Sequence, residues 1–237
     1  MSLPTPRRVA GALYRRIKLV GWYARKTRFG VEWLRDVAID LKYGGYCGGH
    51  AHSKFREVGA HGTASTDYYQ LDKLFGEGGV QIRPDDVLVD VGSGKGRILN
   101  YWLHRGFRNR IYGLELDPGI AARAAKRLRK FPNVAVIGGD ALINLPADAT
   151  VIFMFNPFDA AVMQLFKHRV KKMFRSTSVR IVYFNCKFAH VFQNDPELNV
   201  QELHLNTFYP AILIAMRQKA ASMPEFPKVS EQLKTLR

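Results

Sequence analysis

Residues 87–100 read Val-Leu-Val-Asp-Val-Gly-Ser-Gly-Lys-Gly-Arg-Ile-Leu-Asn, and the fold can be argued outward from this stretch. The apolar segment predicts a buried strand, the alternating glycines predict a tight turn, and the apolar positions after them predict a helix. Glycine leaves no Cβ in the way, and a helix start directs free N–H groups at the same place. The stretch therefore predicts a strand–turn–helix unit that brings bare main chain against a ligand.

The spacing of the glycines separates the kinds of nucleotide site that share this outline. A phosphate loop needs Gly-x-x-x-x-Gly-Lys-Ser/Thr, but the residue after Lys95 is Gly96 and position 89 is valine, so this kind of site is excluded. A dinucleotide site needs Gly-x-Gly-x-x-Gly, and its third glycine would fall on Arg97. The dinucleotide interpretation is therefore only partly matched.

Asp90, Gly92, Gly94 and Gly96 form the pattern Asp-x-Gly-x-Gly-x-Gly, with Ser93 between the first two glycines. This pattern resembles motif I of the Rossmann-like (class I) S-adenosylmethionine-dependent methyltransferases. The resemblance implies S-adenosylmethionine as the cofactor, bound at these five residues. A carboxylate beside the turn favours a positive sulfonium and ammonium and would repel a pyrophosphate, which agrees with that implication.

Two further acids follow the next two predicted strands. Residues 110–115 predict a strand that ends in Glu115, where a carboxylate can accept both ribose hydroxyls of a nucleoside. Dinucleotide enzymes use the same device, so Glu115 alone does not discriminate. Residues 134–137 predict the third strand, and Asp140 after it resembles the family's acidic turn at the adenine amino group. We interpret both acids as cofactor-binding residues, with a helix cap as the structural alternative.

Strand and helix alternate with short connections from residue 87 onward, which predicts a parallel sheet flanked by helices. The last two predicted strands, about 199–205 and 211–216, form a hairpin, and the total of seven resembles the methyltransferase sheet, whose last strand inserts antiparallel. The predicted fold is α/β: a Rossmann-like seven-stranded, mostly parallel sheet with flanking helices and a basic helical N-terminal extension. The predicted units are residues 1–65 as extension and glycine-rich lid, 66–217 as the S-adenosylmethionine-binding catalytic domain, and 218–237 as a C-terminal tail.

Asn156, Pro157 and Phe158 follow the fourth predicted strand, residues 151–155. Ligands of open parallel sheets bind beyond the carboxyl ends of the strands, so we predict that these three residues carry the catalysis. They resemble a shortened Asn-Pro-Pro-Tyr/Phe motif of methyltransferases that act on nitrogen, in which asparagine and a backbone carbonyl accept the N–H bonds of the substrate. One proline is missing, which leaves both nitrogen and oxygen open as the acceptor atom.

Methyl transfer from a sulfonium requires in-line positioning, a dry pocket and, for a protonated acceptor, removal of a proton. A dedicated base is therefore not required for every acceptor. The further side chains that could reach the pocket are His61, Tyr69, Tyr183 and Asn185.

A glycine-rich segment from about residue 43 to 66 predicts a loop or lid over the site. Four potential metal donors lie close together in it, but their spacing matches no established zinc pattern, so we predict no metal site. These donors are Cys47, His50, His52 and His61.

The formal net charge of +16 is concentrated at the N-terminus. Residues 7–28 carry eight basic side chains and no acid, and apolar residues recur among them at helical spacing. Such a helix would suit nucleic acid, anionic lipid or an acidic partner, or it could pack on the catalytic domain. Two cysteines and the lack of a signal peptide or an apolar run of about 18 residues predict a cytoplasmic protein, with peripheral membrane contact open.

The order of the motifs is similar to that of small protein-lysine methyltransferases, which implies protein lysine as the methyl acceptor. RNA, glycan and small-molecule methyltransferases share the same sheet and stay open. Two hypotheses of another class stay open as well: an NAD-dependent oxidoreductase and a non-catalytic basic binding protein. Binding of S-adenosylmethionine without binding of NAD would exclude the oxidoreductase.

Overall fold

The structure is a computed structural model, and it describes residues 30–51, 55, 57, 59–76, 79–175 and 178–217. The predicted basic helix of residues 7–28 and the predicted tail from residue 218 lie outside the described residues, as does His52. The described part contains the whole predicted sheet and most of the glycine-rich segment.

Short elements precede the sheet. A helix over residues 30–42 (α1) leads into an antiparallel pair of two-residue strands, β1 (His50–Ala51) and β2 (Thr63–Ala64), and then into α2 (Tyr68–Phe75). The elements that follow are β3 (Val87–Val91), α3 (Arg97–His104), β4 (Arg110–Glu115), α4 (Pro118–Leu128), β5 (Val134–Gly138), α5 (Ala141–Asn144), β6 (Val151–Phe155), α6 (Ala160–Met173), β7 (Arg180–Phe184), α7 (His190–Gln193), β8 (Leu198–Glu202) and β9 (Ala211–Met216).

Seven strands form one sheet in the order β5-β4-β3-β6-β7-β9-β8. The first five pair in parallel, and β9 lies antiparallel between β7 and β8. This confirms the predicted Rossmann-like sheet with its inserted antiparallel strand. The chain runs outward from β3 through β4 to β5 and then returns to β6 on the other side of β3. The strand order therefore reverses beside the carboxyl end of β3, where open sheets of this kind bind ligands.

Apolar side chains cover both faces of the sheet, as a mostly parallel sheet requires. All five residues of β3 are buried, and they alternate between the two faces. Leu88 belongs to the same apolar cluster as Trp102 of α3, whereas Val89 belongs to the cluster that contains Phe166 of α6. Helices on both faces hold β3 in place, so the turn that follows it starts from a rigid support.

The helix α1 packs on the domain with its charged side inward. Asp36 and Asp40 are 6% and 0% exposed, and both form ion pairs with Arg97 at the start of α3. Val31 and Leu41, in contrast, are more than half exposed. The polarity of α1 is thus the reverse of that of an ordinary surface helix, which buries its apolar stripe.

Candidate functional site

The turn after β3 has the conformation that its glycines predict. Gly92, Gly94 and Gly96 have φ values of 79°, 53° and 83°, a region that residues with a Cβ rarely adopt. A Cβ on Gly92 would come within 3.1 Å of the Cβ of Pro157. The turn after β3 therefore packs directly against the turn after β6, and there is little room for a larger residue between them.

Glu115, at the end of β4, holds this turn by its main chain. One carboxylate oxygen accepts the N–H of Gly94 at 2.7 Å, and the other accepts the N–H of Asp117 at 2.9 Å. Burial raises the pKa of Glu115, and these two main-chain donors oppose that rise. Each carboxylate oxygen has a further lone pair, so the group can still accept hydroxyl donors from the adjoining cavity.

Asp90 is buried at the end of β3, and 2% of it is exposed. Its Oδ2 atom and the hydroxyl of Ser93 have no hydrogen-bond partner among the described residues. Burial and the nearby carboxylate of Glu115 raise the pKa of Asp90 well above its ordinary value. Burial thus favours the neutral form of this carboxyl, and a cation beside it favours the charged form. Buried polar atoms without partners are rare, and a bound ligand is one explanation of such atoms.

Asp140 caps α5, because its Oδ1 accepts the N–H of Leu142 at 2.8 Å. Its side chain also borders a cavity of about 100 Å³ that opens to solvent. Both interpretations of Asp140, the cap and the ligand contact, are thus compatible with its position. The other walls of the cavity include Gly92, Glu115, Asp117, Pro157, Phe158 and His61.

A narrower cleft lies on the other side of the glycine turn. Asp90 and Ser93, which both have an unpartnered polar atom, line it together with Phe155, and Gly92 borders both the cleft and the larger cavity. The predicted cofactor residues thus lie around the glycine turn, with the carboxyl of Asp90 in the cleft and those of Glu115 and Asp140 at the larger cavity.

Asn156 occupies a strained position after β6, with a φ of 42°. The hydroxyl of Tyr183 donates to its side-chain oxygen at 2.7 Å, and Nδ1 of His61 lies 2.8 Å from its carbonyl oxygen. Burial raises the pKa of Tyr183 to about 12, so this hydroxyl keeps its proton and donates. Both oxygens that the nitrogen-methyltransferase motif would offer to a substrate therefore already accept a hydrogen bond from the protein.

The other two predicted catalytic residues have structural contacts. Phe158 is 9% exposed, and its ring packs 5.6 Å from that of Phe166 in the core. Pro157 contacts the glycine turn and presents its carbonyl oxygen to the main-chain N–H of His61 at 2.9 Å. Both residues line the cavity, so they shape the site as well as support it.

His61 belongs to a lid segment that pairs with the turn after β6. The N–H of Asp159 donates to the carbonyl of Gly59 at 2.9 Å, and Ala60 and Phe158 form an antiparallel bridge. Nδ1 of His61 lies 2.8 Å from the carbonyl oxygen of Asn156 and 3.1 Å from its amide nitrogen. The tautomer with the proton on Nδ1 makes the shorter contact a hydrogen bond, and in that tautomer Nε2 is the acceptor nitrogen of a ring that borders the cavity.

Three of the other candidate residues are not among those that line the cavity, namely Tyr69, Cys47 and Asn185. Tyr69 is on α2 beside Lys73, away from the residues that line the cavity. Cys47 is buried, and its thiol faces the carbonyl oxygens of Gly45 and Lys95. Within the ranges that the structure describes, no three histidine, cysteine or acidic side chains are grouped as metal ligands. Asn185, after β7, has a φ of 53°.

A buried ion-pair network behind the glycine turn was missed at the sequence level. Arg97 is 7% exposed, and its guanidinium lies 3.2 Å from Asp36 and 2.5 Å from Asp40. The hydroxyl of Tyr68 also donates to Asp40 at 2.8 Å. Burial raises the pKa of Asp36 to about 6, although Arg97 acts in the opposite direction. The sequence contained a signal for this network, because Asp36 and Asp40 are four residues apart and therefore lie on one side of a helix.

Arg127 of α4 holds the same turn from the outside. Its guanidinium donates to the carbonyl oxygens of Tyr43 and Lys95 and to the side-chain oxygen of Asn100, each at 2.7 Å. The main chain of the glycine turn is therefore held by Glu115 at the end of β4 and by Arg127 of α4. No helix in the described part of the chain is both long and apolar enough to span a bilayer.

Comparison with known families and proteins agrees with this fold. Residues 89–204 match the family model described as a methyltransferase domain. A dimethyladenosine transferase of Chaetomium thermophilum is 28% identical over 146 residues, a match that covers 54% of this chain and 37% of that protein. The chain thus spans little more than a third of the length of the curated relative that it matches.

Two solved methyltransferase structures resemble this chain. A mitomycin 7-O-methyltransferase superposes with a TM-score of 0.50 and 16% identity, over 64% of this chain and 53% of that one. An RNA methyltransferase of Salinibacter ruber, in complex with S-adenosylhomocysteine, gives a TM-score of 0.46 and 21% identity, over 58% of this chain and 85% of that one. At these identities the likeness concerns the fold.

Proposed function

This chain carries a methyltransferase domain of the Rossmann-like, class I fold, and on that premise we propose that it transfers the methyl group of S-adenosylmethionine to a nitrogen or oxygen acceptor. The observation that carries the proposal is the turn after β3. It joins three left-handed glycines to a buried, unpartnered carboxyl at the point where the strand order reverses. Such a site accepts a ligand that brings both a positive charge and hydrogen-bond donors.

The residues present fit this cofactor. Asp90, whose pKa is raised by burial and by Glu115, would take the charged form beside a sulfonium and an ammonium. Glu115 would accept the ribose hydroxyls with the lone pairs that Gly94 and Asp117 leave free. Asp140 lies on the far wall of the cavity, where its second oxygen could meet the adenine amino group. When bound, S-adenosylmethionine supplies an electrophilic methyl group.

His61 is the residue that we assign to proton removal. In the tautomer that donates from Nδ1 to the carbonyl oxygen of Asn156, Nε2 has the lone pair that can accept a proton. Tyr183 holds the side chain of Asn156 from the other side, so the imidazole rests on a rigid turn. The proton of a protonated acceptor would pass to Nε2 before the lone pair of the acceptor attacks the methyl carbon.

A nitrogen acceptor is favoured by this arrangement. A protonated amine, such as a lysine side chain, must lose a proton before it can attack, and His61 borders the cavity as a group that can accept it. Methylation of adenosine is the second candidate, because the curated relative is named a dimethyladenosine transferase.

The test uses two glycines with the same backbone conformation. Gly92 and Gly106 have φ values of 79° and 78°, but an added Cβ meets Pro157 at the first and nothing within 4 Å at the second. Gly92→Ala and Gly106→Ala should lose similar stability, since both force alanine into the left-handed region. Only Gly92→Ala should weaken S-adenosylmethionine binding in calorimetry, by about a hundredfold, equivalent to about 2.7 kcal/mol.

The acceptor class is then found by label transfer. The protein is incubated with radiolabelled S-adenosylmethionine and a cell extract, and the label is fractionated among protein, RNA and small molecules. Label in protein that is recovered as methyl-lysine supports the lysine proposal, and label in RNA as methylated adenosine supports the alternative. Binding of NAD in place of S-adenosylmethionine would refute the proposed function.

A further inference from the structure

The outward face of α1 is apolar along its length. Val31, Leu34 and Leu41 are 66%, 60% and 60% exposed, and their spacing of three and seven residues places them on one side of the helix. Ala38 is exposed as well and lies on the same side. These four residues are called the apolar face of α1 below. Contiguous exposed apolar side chains mark an interaction surface, whereas single ones do not.

Ion pairs fix the orientation of this face. Asp36 and Asp40 lie on the opposite side of α1, where both pair with the buried guanidinium of Arg97. A rotation that buried the apolar face against the domain would leave these three charges without partners, which is costly in a protein interior. The helix is therefore held with its apolar face outward.

Basic groups lie at the C-terminal end of α1, and the sequence that precedes α1 is basic as well. At the C-terminal end, the ammonium of Lys42 lies 5.5 Å from the ring of Tyr43, and that of Lys130 lies 5.2 Å from the ring of Phe131. The two rings contact each other at 5.6 Å, so both ammonium groups are close to the end of α1. At the other end, the chain enters α1 from residues 7–28, which hold eight basic residues and no acid.

We infer that the apolar face of α1 docks in the interface of an anionic lipid bilayer. A helix with one apolar side and basic flanks is the type that lies in the headgroup region, with its apolar side chains in the hydrocarbon and its charges on the phosphates. Nucleic acid would match the basic charge, but its phosphates are unfavourable contacts for the four apolar side chains. A second copy of the chain would bring two basic surfaces together, at a net charge of +16 each.

Vesicle binding of the full chain tests this inference. Co-sedimentation compares vesicles of phosphatidylcholine with vesicles that also contain anionic phosphatidylglycerol. The test variant is Leu34→Ser/Leu41→Ser, and the matched control is Leu165→Ser, a leucine that is 57% exposed on α6. We expect wild type and control to bind the anionic vesicles alike, with weaker binding at high salt. The double variant should partition about tenfold less, because it loses apolar area that enters the interface.

Three results would overturn the inference. They are no binding of the wild type to anionic vesicles, equal binding of the double variant and the wild type, and an equal loss in the Leu165→Ser control. A wild-type dimer that the double variant dissociates in sedimentation velocity without lipid would assign the face to a second copy instead. Circular dichroism checks that the double variant is folded, and the single variant Val31→Ser repeats the measurement with a smaller change in the same direction.

Discussion

The turn after β3 and the turn after β6 lie in contact at the same edge of the sheet, yet the chain builds them differently. All three left-handed positions of the first turn are glycine, whereas the left-handed position of the second is Asn156. Glycine there costs little and lets main chain approach a ligand. Asparagine in that conformation is strained, and strain that persists indicates that the side chain is needed. On the proposed function, the first turn binds the cofactor and the second positions the reacting group.

The largest effect should come from substitution of His61, whose ring and main chain contact the turn after β6. His61→Gln removes the imidazole and keeps the main-chain bond to Pro157, so we expect kcat to fall about a hundredfold or more while cofactor affinity stays unchanged. The rate should recover partly at high pH, where the acceptor loses its proton without help. Steady-state kinetics against pH, with calorimetry for the cofactor, measures both effects.

His190→Gln is the matched control for this variant. Both histidine rings lie near that of Phe188, at 6.2 Å for His61 and 6.3 Å for His190, but of the two only His61 reaches Asn156. Equal losses of kcat in the two variants would mean that packing on Phe188, rather than proton removal, explains the effect.

A smaller effect should appear at the first turn and should depend on the charge of the ligand. Because the pKa of Asp90 is raised, binding of a cation must release its proton, and affinity for S-adenosylmethionine should rise with pH up to that raised pKa. S-adenosylhomocysteine has a neutral thioether in place of the sulfonium, so its affinity should change less. Asp90→Asn should weaken S-adenosylmethionine by about tenfold and should remove the difference in pH dependence.

Calorimetry in two buffers of different ionisation enthalpy counts the protons released on binding. Equal proton release for both ligands, or the same pH dependence in the Asp90→Asn variant, would contradict the view that this carboxyl responds to the sulfonium.

The smallest effect concerns the strain itself. Asn156→Gly relieves the left-handed backbone but loses the hydrogen bond from Tyr183, worth about 1 kcal/mol, so we expect the free energy of unfolding to change by less than about 1 kcal/mol. We expect kcat to fall about tenfold, since the turn under His61 becomes mobile. Denaturant unfolding and steady-state rates separate the two quantities. A large loss of stability with an unchanged rate would show that Asn156 has a structural function alone.

The sequence predicted the first turn well, because everything that defines it is local. Apolar runs, glycine spacing and terminal acids lie within about thirty residues of Asp90, and β4 and β6 have the predicted bounds. The second turn was predicted only in part. His61 lies 95 positions before Asn156 and Tyr183 lies 27 after it, so the residues could be proposed one by one but their hydrogen bonds could not.

The helix α1 was harder to predict for a different reason. Binary patterning assumes that apolar residues face the core and acids face water. Here Asp36 and Asp40 face the core, where both pair with Arg97, while Val31, Leu34 and Leu41 are exposed. Patterning alone would place these two acids in water, since their partner is about sixty positions away.

The insertion of β9 between β7 and β8 also bears on how the protein is synthesised. The inner strand β7 finds its neighbour on that side only when residues 211–216 have left the ribosome, after every other strand. Until then the apolar edge of β7 is open to pairing with another nascent chain. Translation that stalls shortly before residue 211 should therefore release an aggregation-prone polypeptide, although its glycine turn and its acids are already complete.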